Sequence, residues 1–281
     1  MPSGRVVVLR VVGVVLGYLM ASSVLFTVGT LLLPSEVVGG PAGLALLAVP
    51  SAGGIGVVLA AARWLDGRPI ATLGLEPRGA VGRWLRGGLV AMLLMGLIVG
   101  VSYSLVDQAT WTLNPDAGRA AVALVAGLVG FLVQGPSEEI LLRGYVLQIV
   151  AARWSLTWAI GASAVLFGVL HAFNSGFGPL PLVNLVLFGV AAGLYKVWVD
   201  RDQLWGVFAL HSVWNWLQQV VFGLENSGNA SPAANTLFHL QPDQRLPAPA
   251  WGGGFGPEGT LAATVVLLAL VGRLVLLARR A

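Results

Sequence analysis

The chain has 281 residues, of which 57% are hydrophobic and only 10% are charged, and its formal net charge is +4. Soluble domains carry about 25% charged residues, so this composition indicates an integral membrane protein. Cysteine is absent, which excludes disulfide bonds, thiolate metal ligands and a cysteine nucleophile. The basic residues form no dense cluster with interleaved aromatic side chains, and we therefore expect no nucleic-acid partner.

Eight segments are long and apolar enough to be membrane-spanning helices, which need about 20 mostly apolar residues. They are 8–33, 42–62, 87–106, 120–152, 156–173, 180–199, 203–223 and 258–278. We expect an all-α, polytopic transmembrane helix bundle that forms a single integral-membrane domain over residues 1–281. The first span has Arg5 and Arg10 ahead of its long apolar run, as a signal peptide would. Its apolar run exceeds the roughly 7–15 residues of such peptides, so we interpret it as a retained span.

The 16 basic residues fall unevenly on the two sides of such a bundle. Arg119 and Arg245 lie on one side, Arg143 lies within the fourth span, and all the others lie on the side of both termini. Cytoplasmic loops carry the excess of Lys and Arg, so both termini are predicted to be cytoplasmic. The arginine-rich composition, with much Ala, Gly and Val, further favours a multi-pass protein of a bacterial inner (plasma) membrane.

Two connections between the spans are long. Residues 63–86 combine arginines with scattered Trp, Leu and Ile, so they form either an amphipathic helix on the inner membrane surface or a solvated loop. Residues 224–257 are rich in Pro, Gly, Asn and Ala, which predicts an irregular outer loop around an isolated His239. Within the spans, glycine pairs at 13/17, 96/100 and 189/193 are typical of close helix packing.

Ionisable side chains inside membrane spans are costly, and they mark functional sites by default. The candidates, with two polar amides, are Glu138, Glu139, Arg143, Asn184, His171, His211 and Asn215. Asn184 is the weakest of them. Glu139 and Arg143 stand four residues apart on one helical face, so we expect them to form an ion pair. Glu138 is then the carboxylate that the arginine does not use.

Glu138 and His171 lie on either side of the turn near Trp154. Each is about 25 Å along its helix from that turn, so two antiparallel helices place a carboxylate and an imidazole at the same depth. Gly135-Pro136 predicts a helix break directly before the glutamates, because proline removes a helical hydrogen bond.

His211 and Asn215 share one face of the seventh span. Asparagine often joins membrane helices, which is the structural alternative, but together the two side chains can present hydrogen-bond donors to a developing oxyanion. Hydrolysis requires a base, a group that orients water and donors for the tetrahedral intermediate. Glu138, His171, His211 and Asn215 can supply all of these.

Three motifs carry a resemblance to a known family. They read Glu138-Glu139-Ile140-Leu141-Leu142-Arg143, Phe167-Gly168-Val169-Leu170-His171 and His211-Ser212-Val213-Trp214-Asn215. In this order, each on a membrane helix, they resemble the CPBP family, the CAAX proteases and bacteriocin-processing enzymes also called the Abi family. The likeness covers about residues 130–220, and none of the three motifs departs from the family pattern.

The resemblance implies an intramembrane endopeptidase that uses a glutamate-activated water, with a catalytic core at about 120–223. Glu138 and His171 would activate the water, and His211 and Asn215 would form the oxyanion site. Glu139 and Arg143 would support them. Eukaryotic members trim three residues after a prenylated cysteine and are reached from the cytosol, whereas bacterial members often have other substrates. The expected partners are the bilayer and a membrane-associated peptide or protein substrate, lipidated or not, and no cofactor is expected.

Three alternatives remain open. Two histidines and two glutamates can ligate zinc in a metalloprotease, although H-E-x-x-H is absent. The chain can instead be a non-catalytic membrane scaffold or bacteriocin-immunity protein that keeps the fold and its polar cluster. Buried Glu, His and Arg side chains can also relay protons in a transporter, but no internal repeat supports this alternative.

Overall fold

The fold is a bundle of helices. A computed structural model describes residues 3–106 and 109–280. The α-helices are α1 (Gly4–Leu32), α2 (Ser35–Val38), α3 (Ala48–Ala60), α4 (Ala80–Val99), α5 (Ala117–Glu139), α6 (Leu147–Arg153), α7 (Leu156–Leu170), α8 (Pro179–Leu194), α9 (Trp205–Trp216), α10 (Ala248–Trp251) and α11 (Leu261–Ala278). Wider π-helical turns extend several of them, at Ala61–Leu65, Gly100–Val106, Ile140–Val146, Tyr195–Val199 and Leu217–Val221. The prediction of a polytopic helix bundle is confirmed.

Helices occur at all eight predicted spans, but they differ in length. Within the described residues, six helical segments are long and apolar enough to cross a bilayer. They are Gly4–Leu32, Pro41–Leu65, Ala80–Val106, Ala117–Arg153, Pro179–Val199 and Leu261–Ala278. The predicted spans 156–173 and 203–223 contain the shorter helices α7 and α9. The number of eight spans therefore stays a prediction.

Helix α9 lies at the centre of the bundle. Every residue from Gly206 to Asn215 is buried, and the helix packs against α4 and α5. Glycines allow this close approach: a Cβ added at Gly87 would lie 1.9 Å from the Gly206 carbonyl oxygen, and one at Gly135 would lie 2.9 Å from the Ser212 nitrogen. Because α9 does not face lipid, it can carry polar side chains without exposing them to hydrocarbon.

The outermost helices show the opposite pattern. Leu31 and Leu32 of α1 are each 78% exposed, and Val265 of α11 is 66% exposed. Exposed aliphatic side chains on this scale suit a bilayer, where the surrounding solvent is itself apolar. Together with the long apolar segments, they make the chain a multi-pass membrane protein.

The predicted helix break at Gly135-Pro136 is wrong. Pro136 lies inside α5, which continues to Glu139 and then through a π-helical turn at Ile140–Val146 into α6. Proline removes only one backbone donor, and in a membrane bundle such a loss is accommodated by neighbouring helices and side chains. The irregularity comes instead just after the glutamates, where Arg143 lies within the π-helical turn.

The loop predicted to be irregular, 224–257, is partly ordered by long-range hydrogen bonds. Strand β1 (Thr110–Leu113) pairs antiparallel with β2 (Phe238–Gln241), which is a small exception to the all-α prediction. The Asn114 side chain donates to the Thr236 carbonyl at 2.8 Å, and the Tyr103 hydroxyl donates to the Trp251 carbonyl at 2.6 Å. Partners more than 100 residues away supply this order, so the local composition of the loop could not indicate it.

Two smaller predictions have mixed outcomes. Residues 63–86 form no long amphipathic helix, because a short 3₁₀-helix at Ile70–Leu73 and turns connect α3 to an α4 that begins at Ala80. Gly189 and Gly193 pack closely on α7. Cβ atoms added at Gly96 and Gly100, by contrast, would meet nothing within 4 Å. Glycine spacing alone therefore did not identify the close helix contacts.

Candidate active site

Four polar residues of the three motifs converge on one cavity. It has a volume of about 580 Å³ and is lined by residues of α1, of the segment that leads into α3, and of α5, α7, α8 and α9, together with nearby loops. Glu138, His171, His211 and Asn215 all line it. The equal depth predicted for Glu138 and His171 is consistent with this arrangement, since both reach the same space from neighbouring helices.

Gln134 connects two of these residues. Its side-chain nitrogen donates to Glu138 Oε1 at 2.5 Å, and its side-chain oxygen accepts from Asn215 Nδ2 at 2.9 Å. Gln134 precedes Glu138 by one helical turn on α5, so both side chains lie on the same face of the helix. The Gln134 amide thereby holds Oε1 of Glu138, and it does not bond to Oε2.

Glu139 points away from Glu138 into the packed interior. Its Oε1 lies 3.0 Å from Arg143 Nη1 and 2.8 Å from His211 Nδ1, and the side chains of Glu139 and Arg143 are fully buried. Arg143 also donates to the Gly189 carbonyl at 3.2 Å and stacks over the Phe167 ring at 5.0 Å. The predicted Glu139–Arg143 pair is confirmed, and the structure adds His211 to it.

The tautomer of His171 follows from its hydrogen bond. His171 caps the end of α7, and its Nδ1 lies 2.8 Å from the Phe167 carbonyl oxygen one turn earlier. A carbonyl oxygen only accepts hydrogen bonds, so Nδ1 carries the proton, and in the neutral ring Nε2 is an acceptor. The same local contact holds the imidazole at the helix end, where it lines the cavity.

Aromatic rings form one wall around the histidines. The Phe167 ring lies 4.8 Å from the His171 ring, and the Phe188 ring lies 5.4 Å from the His211 ring and 5.4 Å from the Trp214 ring. These rings pack against the sides of the imidazoles. Inside such an apolar wall, charges and hydrogen bonds act more strongly than they do in water.

Sequence reasoning missed three polar residues beside the cavity. Besides Gln134, Glu258 accepts from Trp214 Nε1 at 3.1 Å and from the Ser227 hydroxyl at 2.6 Å. Tyr18 lies across α5, with its hydroxyl 2.8 Å from Ser137 Oγ. Only Gln134 left a signal in the sequence, its spacing of four from Glu138. The other contacts join residues at least 31 positions apart.

Asn184 and His239, the two weaker candidates, lie outside the cluster of motif residues. Asn184 is buried and donates to the Glu258 and Thr260 carbonyls at 2.7 and 2.9 Å, so it joins α8 to the start of α11. This is the structural role that asparagine often has between membrane helices. His239 lies on β2 and does not line the cavity.

A zinc site would need at least three suitable ligands close together. Among residues 3–106 and 109–280, no group of three or more His, Cys, Asp or Glu side chains is arranged to hold a metal ion. The described residues therefore do not fit the zinc alternative, and no step of the chemistry below depends on a metal.

The fold and the cavity define a multi-pass membrane protein with a polar site inside its helix bundle. Residues 120–217 match the family model described as type II CAAX prenyl endopeptidase Rce1-like. This match includes all three motifs and confirms the resemblance to CAAX proteases predicted from the sequence: residues 120–217 are similar to that family of membrane peptidases. No curated protein and no solved structure matches the chain significantly.

Proposed function

We propose that the chain is an intramembrane endopeptidase in which Glu138 activates a water molecule to hydrolyse a peptide bond. The observation that carries the proposal is the division of labour between adjacent carboxylates. Glu139 is buried against Arg143 and His211, whereas Glu138 lines the cavity together with His171 and Asn215. A carboxylate with access to the cavity and no ion-pair partner is suited to act as a base.

Glu138 and His171 are the pair that activates water. The Glu138 carboxylate accepts a proton from water as the water oxygen attacks the scissile carbonyl carbon. His171 Nε2, an acceptor in the neutral ring, holds the second hydrogen of the water and so sets its direction of attack. When the carbon–nitrogen bond breaks, Glu138 returns the proton to the leaving nitrogen, so the carboxylate is regenerated.

His211 and Asn215 stabilise the oxyanion of the tetrahedral intermediate. Asn215 uses one amide hydrogen toward Gln134, and its second remains for the substrate. Glu139 is acceptor-only while it is ionised beside Arg143, so the bonded Nδ1 of His211 is a donor. Donation from Nε2 as well requires a protonated ring. The cluster contains two carboxylates, Glu138 and Glu139, but one guanidinium, Arg143. The positive charge of a protonated His211 ring would balance the second carboxylate.

The substrate is a membrane-associated peptide or protein, lipidated or not. One wall of the cavity is polar, while Leu25, Phe26 and Leu47 belong to the apolar remainder of the lining. Such a cavity accommodates an extended peptide with apolar side chains beside its scissile bond. We further propose that the chain acts without a cofactor in a bacterial plasma membrane, as its composition predicts.

The proposal is tested with protein purified in detergent and a quenched fluorescent peptide with apolar flanks. We expect cleavage at the same rate with and without a zinc chelator. The His171→Ala variant is expected to lose about 10²-fold or more in kcat, the usual contribution of a group in acid–base catalysis. His239→Ala is the matched control, since that histidine does not line the cavity. Loss of activity on chelation and its return with zinc would contradict the mechanism, and no cleavage across a broad peptide panel would favour a non-catalytic scaffold.

The Gln134→Leu variant tests the amide that fixes Glu138. The substitution keeps the size of the side chain but removes both hydrogen bonds, to Glu138 and to Asn215. A hydrogen bond to a charged group contributes about 1.5–3 kcal/mol, so kcat is expected to fall about 10- to 100-fold with little change in KM. Gln203→Leu, in the loop before α9, is the control. An unchanged kcat would remove Gln134 from the site.

A further inference from the structure

The cavity is lined by loops from only one end of the bundle. The loops that contribute are residues 33–40, 171–178 and 222–260, which we call the mouth segments. They contact one another: Asn235 Nδ2 donates to the Gly39 carbonyl at 3.0 Å, and Asn174 Nδ2 donates to the Ser227 carbonyl at 2.7 Å. The three loops therefore form a single rim around the cavity.

The loops of the opposite end are held together separately. The Leu204 nitrogen donates to the Gly74 carbonyl at 3.0 Å, and the Glu76 nitrogen donates to Gln203 Oε1 at 3.1 Å. None of the described residues in 66–79, 154–155 and 200–204 lines the cavity. Between the cavity and this end lies the fully buried Glu139–Arg143 pair. Among the described residues, the loops that reach the cavity therefore all lie at one end of the bundle, where the mouth segments form its mouth.

Positive charge marks the opposite end. The loops and chain ends there carry most of the basic side chains, among them Arg5, Arg63, Arg68, Arg78, Arg153, Arg201, Arg279 and Arg280. The mouth segments contain a single Lys or Arg residue, Arg245, whose guanidinium pairs with Asp243 at 2.8 Å. Short loops rich in Lys and Arg stay in the cytoplasm, so the basic end is the cytoplasmic one.

From these two observations we propose that the cavity opens to the extracytoplasmic side of the membrane and takes its substrate from there. The substrate is an exposed peptide segment of an exported or membrane-anchored protein. This choice of substrate rests on the proposed function. This direction differs from the cytosolic access that the resemblance implies for eukaryotic members of the family. The direction of access follows from two observations together. The charge distribution identifies the cytoplasmic end of the bundle, and the position of the mouth shows that the cavity opens at the other end.

The chemistry of the mouth fits an uncharged, extended peptide. Amides and a hydroxyl face the cavity from one side, at Asn174, Ser227 and Asn229, and can bond to peptide groups. The other side is apolar, with Phe26 and Leu33 at the outer end of α1. A peptide with apolar side chains can bond along one edge and pack its side chains against α1.

The absence of cysteine makes the side of the mouth directly measurable. Two matched variants each introduce one thiol at an exposed alanine: Ala230→Cys at the mouth and Ala71→Cys at the basic end. Intact spheroplasts are treated with a membrane-impermeant maleimide and then permeabilised and treated again. We expect Ala230→Cys to be labelled in intact spheroplasts and Ala71→Cys only after permeabilisation. The reverse pattern, or equal labelling of both variants in intact spheroplasts, would overturn the proposal.

A second measurement tests whether the substrate reaches the active site through the mouth. A membrane-impermeant fluorescent peptide with apolar flanks is added outside sealed vesicles, and we expect cleavage by right-side-out but not inside-out vesicles. Attachment of a bulky maleimide to Ala230→Cys is expected to lower cleavage at least 10-fold, whereas modified Ala71→Cys keeps the unmodified rate. Cleavage only by inside-out vesicles would overturn the direction of access. Labelling requires no catalysis, so absence of cleavage with the expected labelling would refute the peptidase and leave the topology standing.

Discussion

The Glu138→Gln variant is expected to lose about 10²- to 10⁴-fold in kcat for peptide cleavage, the range of a general base. Glutamine has nearly the same shape and can still bond to Gln134, but it cannot accept a proton from water. KM is expected to change little, because the lost interaction develops only in the transition state. The measurement is steady-state kinetics of the purified variant with the fluorescent peptide.

The control for this variant is Glu36→Gln, since Glu36 is an exposed carboxylate in α2 and does not line the cavity. It should keep the wild-type kcat. Thermal unfolding in detergent is compared for both variants, so that a loss of fold is not taken for a loss of the base. A Glu138→Gln enzyme that retains kcat within about threefold would show that Glu138 is not the base, because general-base catalysis contributes far more than this.

The Arg143→Met variant is expected to lose about 3–5 kcal/mol in free energy of unfolding, the cost of removing one partner of a buried ion pair. Methionine fills much of the same space and can pack against Phe167. Glu139 is then left charged and buried, with His211 as its remaining partner. The free energy is measured by denaturant unfolding in mixed micelles.

A double variant distinguishes an unpaired charge from a lost contact. When Glu139→Gln is combined with Arg143→Met, neither buried charge remains, and most of the stability is expected to return. Activity should not return, because His211 loses the carboxylate that accepts from its Nδ1 and orients the ring. The matched control is Arg245→Met at an exposed ion pair, where little change in stability is expected. Additive losses in the double variant would contradict the ion-pair interpretation.

The sequence predicted the parts of the site that lie within one helical turn. Glu139 and Arg143, four residues apart, pair as their spacing requires, and Glu138 was separated from them by the same count. The three motifs also contain His171, His211 and Asn215, which all line the cavity, and their catalytic roles stay a prediction. The period of a helix fixes such neighbours before any tertiary packing occurs.

Contacts between different helices could not be predicted from the spacing of residues along one helix. Asn215 and His211 were expected to present donors to an oxyanion, with a helix-joining asparagine as the alternative, but their partners were not predicted. Asn215 bonds Gln134 and His211 bonds Glu139, across 81 and 72 residues. The proline that was expected to break α5 lies inside it, because surrounding helices accommodate one missing donor. The order in 224–257 similarly depends on a strand near residue 110.

By itself, the sequence determined that this is an apolar helix bundle, which of its ends is basic, and which side chains share a helical face. These properties depend on composition and on a period of 3.6 residues, both of which are local. Only the tertiary structure decided that the motif residues share one cavity, that Gln134 and Glu258 join them, and that the cavity opens away from the basic end. Those outcomes depend on how close helices approach at positions such as Gly87 and Gly135, where the absence of a Cβ lets backbones touch. No local pattern specifies which glycines will do so.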